Sequence, residues 1–456
     1  MRITRHFVDI GGRRVHYRRC GEGPALLMVH QSPRSSAEYE SLMRQWGGYF
    51  TCIAPDTPGF GQSDPLPADS PTIDDFADAL ADLLDSLGID RVPAYGFHSG
   101  AIILVTALKR HPARFSRLAA GGYAIWTAEE SALFSDRYLP PFEPSDYGEH
   151  LTWLWNRLLE QSWFFPWFAV TPAHRLNLAH ADIGRVDAAV RDMLDSGAAY
   201  RAGYGAVLRA PRDIPPADAV TPPVLITAYD GDPLQAHIDR LGTMPAGWAA
   251  LKVASVAEHQ LVSLAFLRAG HPDPRPVLVD CPDEGFWHVT TAAFDGLIHW
   301  RGRRGGTLHL HAPGRALDLL GAVDGLAIDL PGHGLSDRWP DAVPTHWAPW
   351  QAVIDGIAAQ FGCSDIVMEP APAGDPERLF PDLAPDRFGS YLTRAWAIVR
   401  AGHFFEPWYE TGAAAARAFV ADEVAAGALA REHRALIRAS SARECLIARR
   451  SIEGGS

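Results

Sequence analysis

The chain has little of what marks nucleic-acid-binding and membrane proteins. Only two lysines occur in 456 residues, and 41 basic against 54 acidic side chains leave a net charge of -13. A phosphate backbone needs a basic surface, so this balance argues against a nucleic-acid partner. The most apolar run, residues 101–108, is too short to cross a bilayer. We therefore expect a globular protein with no nucleic-acid or membrane partner.

Cysteine is scarce as well. The five cysteines are scattered, without the paired spacing of metal ligands. The first 19 residues contain no apolar stretch that could serve as a signal peptide. We expect a cytoplasmic protein with no metal and no cofactor.

Strand-like and helix-like segments alternate along the first half. Short apolar runs bounded by turn residues predict buried strands at 25–30, 50–55, 91–96 and 222–229. Apolar residues at helical spacing predict helices over 71–88 and 99–115. A Trp-rich, mostly helical insertion interrupts the alternation at about 127–215. The pattern predicts an α/β fold with a mostly parallel sheet, helices on both faces and a helical cap.

The second half repeats the first, with losses. Residues 326–337 resemble 52–64 at an offset of 273, whereas 385–396 resemble 144–155 at an offset of 241. About 32 residues are therefore missing from the second copy between these landmarks. Such self-similarity indicates an internal duplication.

Five motifs in order resemble those of the α/β-hydrolase fold superfamily. They are His30-Gln31-Ser32-Pro33, Asp56-Thr57-Pro58-Gly59-Phe60-Gly61, Gly96-Phe97-His98-Ser99-Gly100, Tyr229-Asp230-Gly231-Asp232-Pro233 and Ala257-Glu258-His259. The resemblance implies a capped α/β-hydrolase domain over 1–270 with the cap at about 127–215. A linker over 271–290 and a degenerate, truncated α/β-hydrolase-like repeat over 291–456, ending in cap-like helices, would follow.

The third motif resembles a nucleophile elbow with histidine where serine is expected. The tight strand-to-helix turn needs small residues on both sides of its apex. Gly96 and Gly100 meet that need if His98 is the apex, whereas an apex at Ser99 would put the bulky Phe97 at a flank. We expect His98 at the apex and the backbone N–H of Ser99 in an oxyanion site.

The resemblance further implies that Asp232 orients His259, which acts as general base. Four roles are open for His98: nucleophile, general base with His259, metal ligand with His259 and a carboxylate, or a residue kept by packing.

Two further groups are candidates for binding substrate. The loop of His30, Gln31 and Ser32 is expected to supply a second oxyanion donor, although Gln31 stands where the superfamily commonly has glycine. Trp163 and Trp167 lie in the aromatic insertion, where they either cover an apolar substrate pocket or pack the core of the lid.

The second copy is expected to be catalytically empty. Aligning Gly88 with Gly362 puts Pro372 at the position of His98, and the chain ends before any equivalent of Asp232 or His259. Its open sheet edge predicts docking against the first copy or a second subunit, which would make a homo-oligomer.

Three functions follow from these observations. The leading one is hydrolysis of a small, partly apolar ester, lactone, thioester or activated C–C bond at His98, Asp232 and His259. The second is a cofactor-independent lyase, isomerase or oxygenase using the same residues as acids and bases. The third is a ligand-binding protein without catalysis.

Overall fold

The chain forms two compact units. The structure, a computed structural model, describes residues 1–134, 137–176, 182–211, 214–270, 276 and 281–453. Unit 1 comprises residues 1–143 and 157–280, and unit 2 comprises 144–156 and 281–456.

Unit 1 is built on an eight-stranded sheet. Its strands are β1 (Ile3–Ile10), β2 (Arg13–Cys20), β3 (Ala25–Val29), β4 (Thr51–Pro55), β5 (Val92–Phe97), β6 (Phe115–Gly121), β7 (Val224–Tyr229) and β8 (Trp248–Val253). Their order in the sheet is β1-β2-β4-β3-β5-β6-β7-β8. β2 pairs antiparallel with β1 and β4, whereas every pair from β4 to β8 is parallel. The prediction of a mostly parallel sheet is confirmed.

Eight described helices belong wholly or partly to unit 1. They are α1 (Glu40–Trp46), α2 (Ile73–Ser86), α3 (Ser99–Arg110), α4 (Ala128–Leu133), α5 (Glu149–Gln161), α6 (Ile183–Ser196), α7 (Ala199–Arg209) and α8 (Val256–Arg268). Four of them, α4 to α7, lie between β6 and β7 in the chain, where the cap was predicted.

The ends of two helices show why the predicted bounds shifted slightly. α2 begins at Ile73 because the Thr72 hydroxyl accepts a hydrogen bond from the backbone N–H of Asp75, whose carboxylate accepts one from the Thr72 N–H. α3 ends at Arg110, before His111-Pro112, since a residue that precedes proline is disfavoured in a helix. The predicted helix over 99–115 was therefore too long.

The core of unit 1 lies around the central strands. All residues of β3 and β4 are buried, as are the first ten residues of α3. Burying one such aliphatic side chain stabilises a fold by about 1.5–3 kcal/mol. The turn between β5 and α3 is thus held on both sides by rigid, packed elements.

Unit 2 contains a five-stranded sheet. Its strands are β9 (Glu284–Thr290), β10 (Asp295–Gly302), β11 (Gly306–Leu310), β12 (Leu326–Ile328) and β13 (Cys363–Met368), in the order β13-β11-β12-β10-β9. β11 pairs parallel with β12 and β13, whereas β10 pairs antiparallel with β9 and β12. The helices are α9 (Trp347–Phe361), α10 (Pro376–Leu379), α11 (Ser390–Gly402), α12 (Ala426–Arg438) and α13 (Ala442–Glu453).

The unit boundaries differ from the predicted domains in two places. Residues 144–156, predicted as part of the first cap, group with unit 2. Of the predicted linker, 271–275 and 277–280 lie outside the described residues, and Glu284–Thr290 forms β9. That last segment is a strand because it pairs along its whole length with β10.

Two observations concern the predicted environment of the protein. Within the described ranges, no helix is both long and apolar enough to cross a membrane. All five cysteines are free thiols. The cytoplasmic location stays a prediction.

Candidate active site

His98 occupies the turn between β5 and α3. Its backbone has φ 49° and ψ -114°, and among the described residues no other non-glycine residue has a positive φ. Such a conformation costs about 1–3 kcal/mol and persists only where the surroundings enforce it. The His98 N–H donates to the carbonyl of Gly121 at 2.8 Å, which helps to hold the turn.

The two flanking glycines leave no room for a side chain. A Cβ on Gly100 would lie 1.9 Å from the carbonyl oxygen of Val29, and one on Gly96 would lie 2.7 Å from the backbone of Gly100. The steric argument that put His98, and not Ser99, at the apex agrees with this packing.

His98 pairs directly with Asp232, which follows β7. The Nε2 atom of His98 lies 3.1 Å from Oδ1 of Asp232, and that oxygen also accepts the N–H of Leu234 at 2.9 Å. Burial of Asp232 opposes its charge, but His98 and the Leu234 N–H outweigh it and lower the pKa of the carboxyl. An ionised Asp232 therefore accepts the Nε2 proton of His98, which leaves the Nδ1 lone pair unprotonated in the neutral ring.

The orientation of the imidazole is constrained on two sides. The ring stacks on Phe97 with centroids 4.1 Å apart. A Cβ on Gly122 would lie 2.3 Å from Cδ2 and 2.7 Å from Nε2 of His98, so this edge of the ring abuts the backbone. Nδ1 lies on the opposite edge, and 26% of the His98 side chain is exposed.

His259 is placed differently from the sequence expectation. It lies in the first turn of α8 and is only 2% exposed. Its Nδ1 is 2.7 Å from the Thr227 hydroxyl and its Nε2 is 2.9 Å from the Tyr95 hydroxyl. Burial lowers the pKa of His259 to about 4, so its ring is neutral at neutral pH. In the structure Asp232 pairs with His98 instead of His259, because both His259 nitrogens are bound elsewhere.

The loop after β3 is tied down by its own side chains. His30 is buried, accepts the Thr57 N–H at Nε2 over 2.9 Å, and donates from Nδ1 to the Gln31 carbonyl. Gln31 donates its backbone N–H and its side-chain amide to Glu38, at 2.7 and 3.1 Å. The Gln31 backbone N–H is thus occupied by Glu38, as is one of the two N–H groups of its side-chain amide.

Ser32 and Ser99 bind each other. The Ser32 N–H donates to the Ser99 hydroxyl oxygen, so the Ser99 O–H remains able to donate. Ser99 is the first residue of α3, and its backbone N–H has no acceptor within the helix. Both Ser99 donors therefore lie beside the apex.

A cavity of about 470 Å³ in unit 1 opens onto this turn. That volume suits a small organic ligand. His98, Ser99, Gln31 and Ser32 all line it. Much of the remaining lining is apolar or aromatic, including Phe97, Ile102, Trp126, Phe134, Tyr138, Leu158, Phe165, Tyr204 and Val207.

Several predicted site residues lie outside this lining. His30, Asp232 and His259 do not line the cavity, and neither do Trp163 and Trp167. The Trp167 indole N–H donates to the Tyr138 carbonyl at 3.3 Å, a contact that packs the lid.

Sequence reasoning missed some residues that do line the cavity. Arg34 follows the His30 loop, and Trp126 lies five residues beyond β6. Phe165, by contrast, belongs to the aromatic insertion that was expected either to cover a substrate pocket or to pack the lid, and it lines the cavity. For Arg34 the position next to the loop was an available signal.

Across the described part of the chain, no group of three or more His, Cys, Asp or Glu side chains is arranged to hold a metal ion. His98, His259 and Asp232 therefore do not form the metal triad that the sequence left open.

The sequence is similar to several enzymes over about a quarter of its length. Haloalkane dehalogenase 2 of Mycobacterium tuberculosis is 30% identical over 125 residues, 27% of this chain and 44% of that protein. Cis-3-alkyl-4-alkyloxetan-2-one decarboxylase of Shewanella oneidensis is 36% identical over 120 residues, 25% of this chain and 37% of that protein. 2-(acetamidomethylene)succinate hydrolase of Mesorhizobium japonicum is 36% identical over 105 residues, which are 23% of this chain and 37% of that protein. The chain spans less than half the length of each of these curated relatives.

Among solved structures, the enol-lactonase from Burkholderia xenovorans LB400 is 20% identical with a TM-score of 0.43, covering 57% of this chain and 97% of that one. A family model described as the alpha/beta hydrolase fold matches residues 24–137. With the strand order of unit 1, this match confirms the α/β hydrolase fold predicted for the first part of the chain.

Proposed function

We propose that unit 1 hydrolyses a small, partly apolar ester or lactone, with His98 as general base and Asp232 as the carboxylate that orients it. The observation that carries this proposal is the 3.1 Å contact between His98 Nε2 and Asp232 Oδ1 at a strained turn in the cavity wall. Thioesters and activated C–C bonds fit the same site by the same chemistry.

The reaction begins with a water molecule beside His98. Nδ1 takes a proton from this water as its oxygen attacks the acyl carbon, and a tetrahedral oxyanion forms. Asp232 stabilises the resulting imidazolium across the Nε2 hydrogen bond. His98 then returns the proton to the departing alkoxide as the C–O bond breaks, which yields an acid and an alcohol.

Ser99 is the proposed oxyanion donor. Its backbone N–H at the start of α3 and its hydroxyl both lie next to His98, and the hydroxyl oxygen is held by the Ser32 N–H. Donors fixed in place before the reaction stabilise developing charge without reorganisation.

His259 is proposed as a positioning residue rather than the base. Its ring lies 5.4 Å from Phe97, and Phe97 in turn stacks on His98. The hydrogen bonds that His259 forms with Tyr95 and Thr227 fix this packing, because they hold both nitrogens of its ring.

A second candidate is acid–base chemistry on the substrate itself without attack by water, as in a cofactor-independent lyase. Two observations favour it: the turn presents an imidazole where a serine would be expected, and one relative is named a decarboxylase of alkyl oxetanones. His98 would then exchange a proton with the substrate instead of water.

We propose further that unit 2 is a truncated second copy of the fold. The order β9-β10-β12-β11-β13 repeats β1-β2-β4-β3-β5, with the same parallel and antiparallel pairs. A buried histidine–aspartate pair in each unit also supports this proposal. His16 Nδ1 lies 2.8 Å from Asp56, and His299 Nδ1 lies 2.7 Å from Asp329.

Within unit 2, the two matching cap segments contact each other reciprocally. The indole N–H of Trp155 donates to the Arg387 carbonyl at 3.0 Å, and that of Trp396 donates to the Asp146 carbonyl at 3.2 Å. Such exchange of equal contacts is the mark of a two-fold interface, here between two segments of one chain.

The test is hydrolysis of a panel of nitrophenyl esters and lactones by the native protein and by His98→Ala. We expect turnover by the native protein and a loss of at least about 100-fold in the variant, with the thermal midpoint of both recorded as a folding control. Turnover that survives in a folded variant would contradict the role of His98. A native protein that binds ligands without turnover would favour the binding function.

A further inference from the structure

The described lining of the cavity beside His98 contains basic side chains and no acidic one. Arg34 and Arg185 both line it, in a chain whose net charge is -13. Arg185 is 74% exposed and lies 3.5 Å from Asp182. Arg34 is only 23% exposed. Arg34 is thus the cation held inside the site.

The Arg34 guanidinium is hydrogen-bonded to one carboxylate, that of Asp192, and a second carboxylate, that of Glu38, lies near enough to raise its pKa. Its Nε donates to Oδ2 of Asp192 at 2.8 Å, and the other oxygen of Asp192 accepts the Ser35 hydroxyl at 2.6 Å. Its backbone N–H donates to the Gln31 carbonyl at 2.9 Å. Within the described residues, neither terminal nitrogen of the Arg34 guanidinium has an acceptor. The side chain is therefore oriented but keeps two donor groups for a ligand.

The matching arginine of unit 2 is engaged more fully. Arg315 follows His311 as Arg34 follows His30, four residues later in each case. Its Nε donates to Glu369 at 3.1 Å, and one terminal nitrogen donates to the Leu319 carbonyl at 2.9 Å. The Arg315 guanidinium thus donates from a terminal nitrogen to a nearby backbone carbonyl, which the Arg34 guanidinium does not do.

We propose that the substrate of unit 1 carries a carboxylate, which the terminal nitrogens of Arg34 bind while the apolar walls hold the rest of the molecule. This inference rests on the proposed function and names its substrate class. A guanidinium suits this task because its planar donors match the two oxygens of a carboxylate.

Two esters of equal length test the proposal. Ethyl butyrate and monoethyl succinate share a leaving group and a four-carbon acyl chain, differ in a terminal methyl against a carboxylate, and are both followed by acid release in a pH-stat. We expect the native protein to have a kcat/KM for the succinate ester higher by about tenfold or more, since a hydrogen bond to a charged group is gained. Equal kcat/KM values, or a preference for butyrate, would overturn the proposal.

Variants then assign the preference to Arg34. Arg34→Met is expected to abolish the ratio, whereas the matched Arg315→Met in unit 2 keeps it. Since Arg34→Met leaves Asp192 without its cation, the double variant R34M/D192N serves as a second measurement if the single variant misfolds. A ratio that survives in both variants, or is lost in Arg185→Met instead, contradicts the assignment.

Binding separates a failure of this inference from a failure of the proposed function. If the native protein hydrolyses neither ester, calorimetric titration with the two intact esters replaces kinetics. Tighter binding of the succinate ester supports the Arg34 site without hydrolysis, and equal binding overturns it.

Discussion

Each of the two sheets of this protein contains a buried histidine–aspartate pair, but the pKa of the histidine is shifted in opposite directions in the two units. In unit 1, burial outweighs the attraction of Asp56 and lowers the pKa of His16 to about 4. In unit 2, His299 is buried too, but it lies 2.7 Å from Asp329 and 3.0 Å from Glu284, and two carboxylates raise its pKa. The histidine of the pair is thus harder to protonate than usual in unit 1 and easier in unit 2, where a second carboxylate is present.

The larger difference lies after the fifth strand of each sheet. Unit 1 continues from β5 into the His98 turn, α3 and three more strands, the second of which is followed by Asp232. Unit 2 passes from β13 to Pro372, whose carbonyl accepts a hydrogen bond from Arg450 at 3.1 Å. Both units keep a packed sheet, but within the described residues only unit 1 has the elements that bring an apex residue and an acid together.

The largest effect is expected at the acid. Asp232→Asn keeps the shape of the side chain but removes the charge that fixes the His98 tautomer. We expect kcat/KM to fall by at least about 100-fold, as on loss of His98 itself, with little change in stability. The neighbouring Asp230→Asn, an exposed carboxylate, is the matched control and should retain activity. Equal losses in both variants would contradict the pairing of Asp232 with His98.

A smaller effect, on stability, is expected from substitution of Gly148 and Gly389, the two glycines at the reciprocal contact between Trp155 and Trp396. A Cβ on Gly389 would lie 2.4 Å from Trp155, and one on Gly148 would lie 2.9 Å from Trp396, both at positive φ. We expect Gly389→Ala and Gly148→Ala each to lower the free energy of unfolding by about 1–3 kcal/mol, measured by urea titration.

Gly402→Ala in α11 is the control for these two variants, because no atom lies within 4 Å of the added Cβ. It should be neutral or slightly stabilising. A destabilisation by only one of the two cap variants would argue against an equivalent, reciprocal contact.

The smallest effect concerns pH. Because the pKa of folded His16 is about 4, against 6.5 ordinarily, the unfolded chain binds more protons, and stability falls as pH drops from 6.5 to 4. His299 has the opposite sign: its raised pKa stabilises the fold fully below 6.5, and that contribution is lost as pH rises through the folded pKa.

Glu284→Gln should lower the pKa of His299 toward that of His16 and leave His16 unchanged. NMR titration of the two imidazoles measures both values in one sample. An unmoved His299 would show that Asp329 alone raises its pKa.

The sequence allowed the elbow and the acid to be predicted, because each depends on local features. Gly96 and Gly100 identify His98 as the apex through steric room alone, and Asp232 follows a recognisable buried strand. The position of His259 could not be predicted in this way. Ser255 caps α8, so His259 falls within the helix and its ring turns toward Thr227 and Tyr95. Spacing along the chain does not specify on which side of a helix a side chain is buried.

The most direct test compares the two histidines in one assay. His98→Gln keeps an N–H that can donate to Asp232 but removes the basic nitrogen, and His259→Gln keeps polar atoms for Tyr95 and Thr227. We predict that kcat/KM for the best ester falls at least about 100-fold in His98→Gln and less than about tenfold in His259→Gln, when both variants unfold near the native midpoint. An active His98→Gln beside an inactive, folded His259→Gln would contradict the account and return the general base to His259.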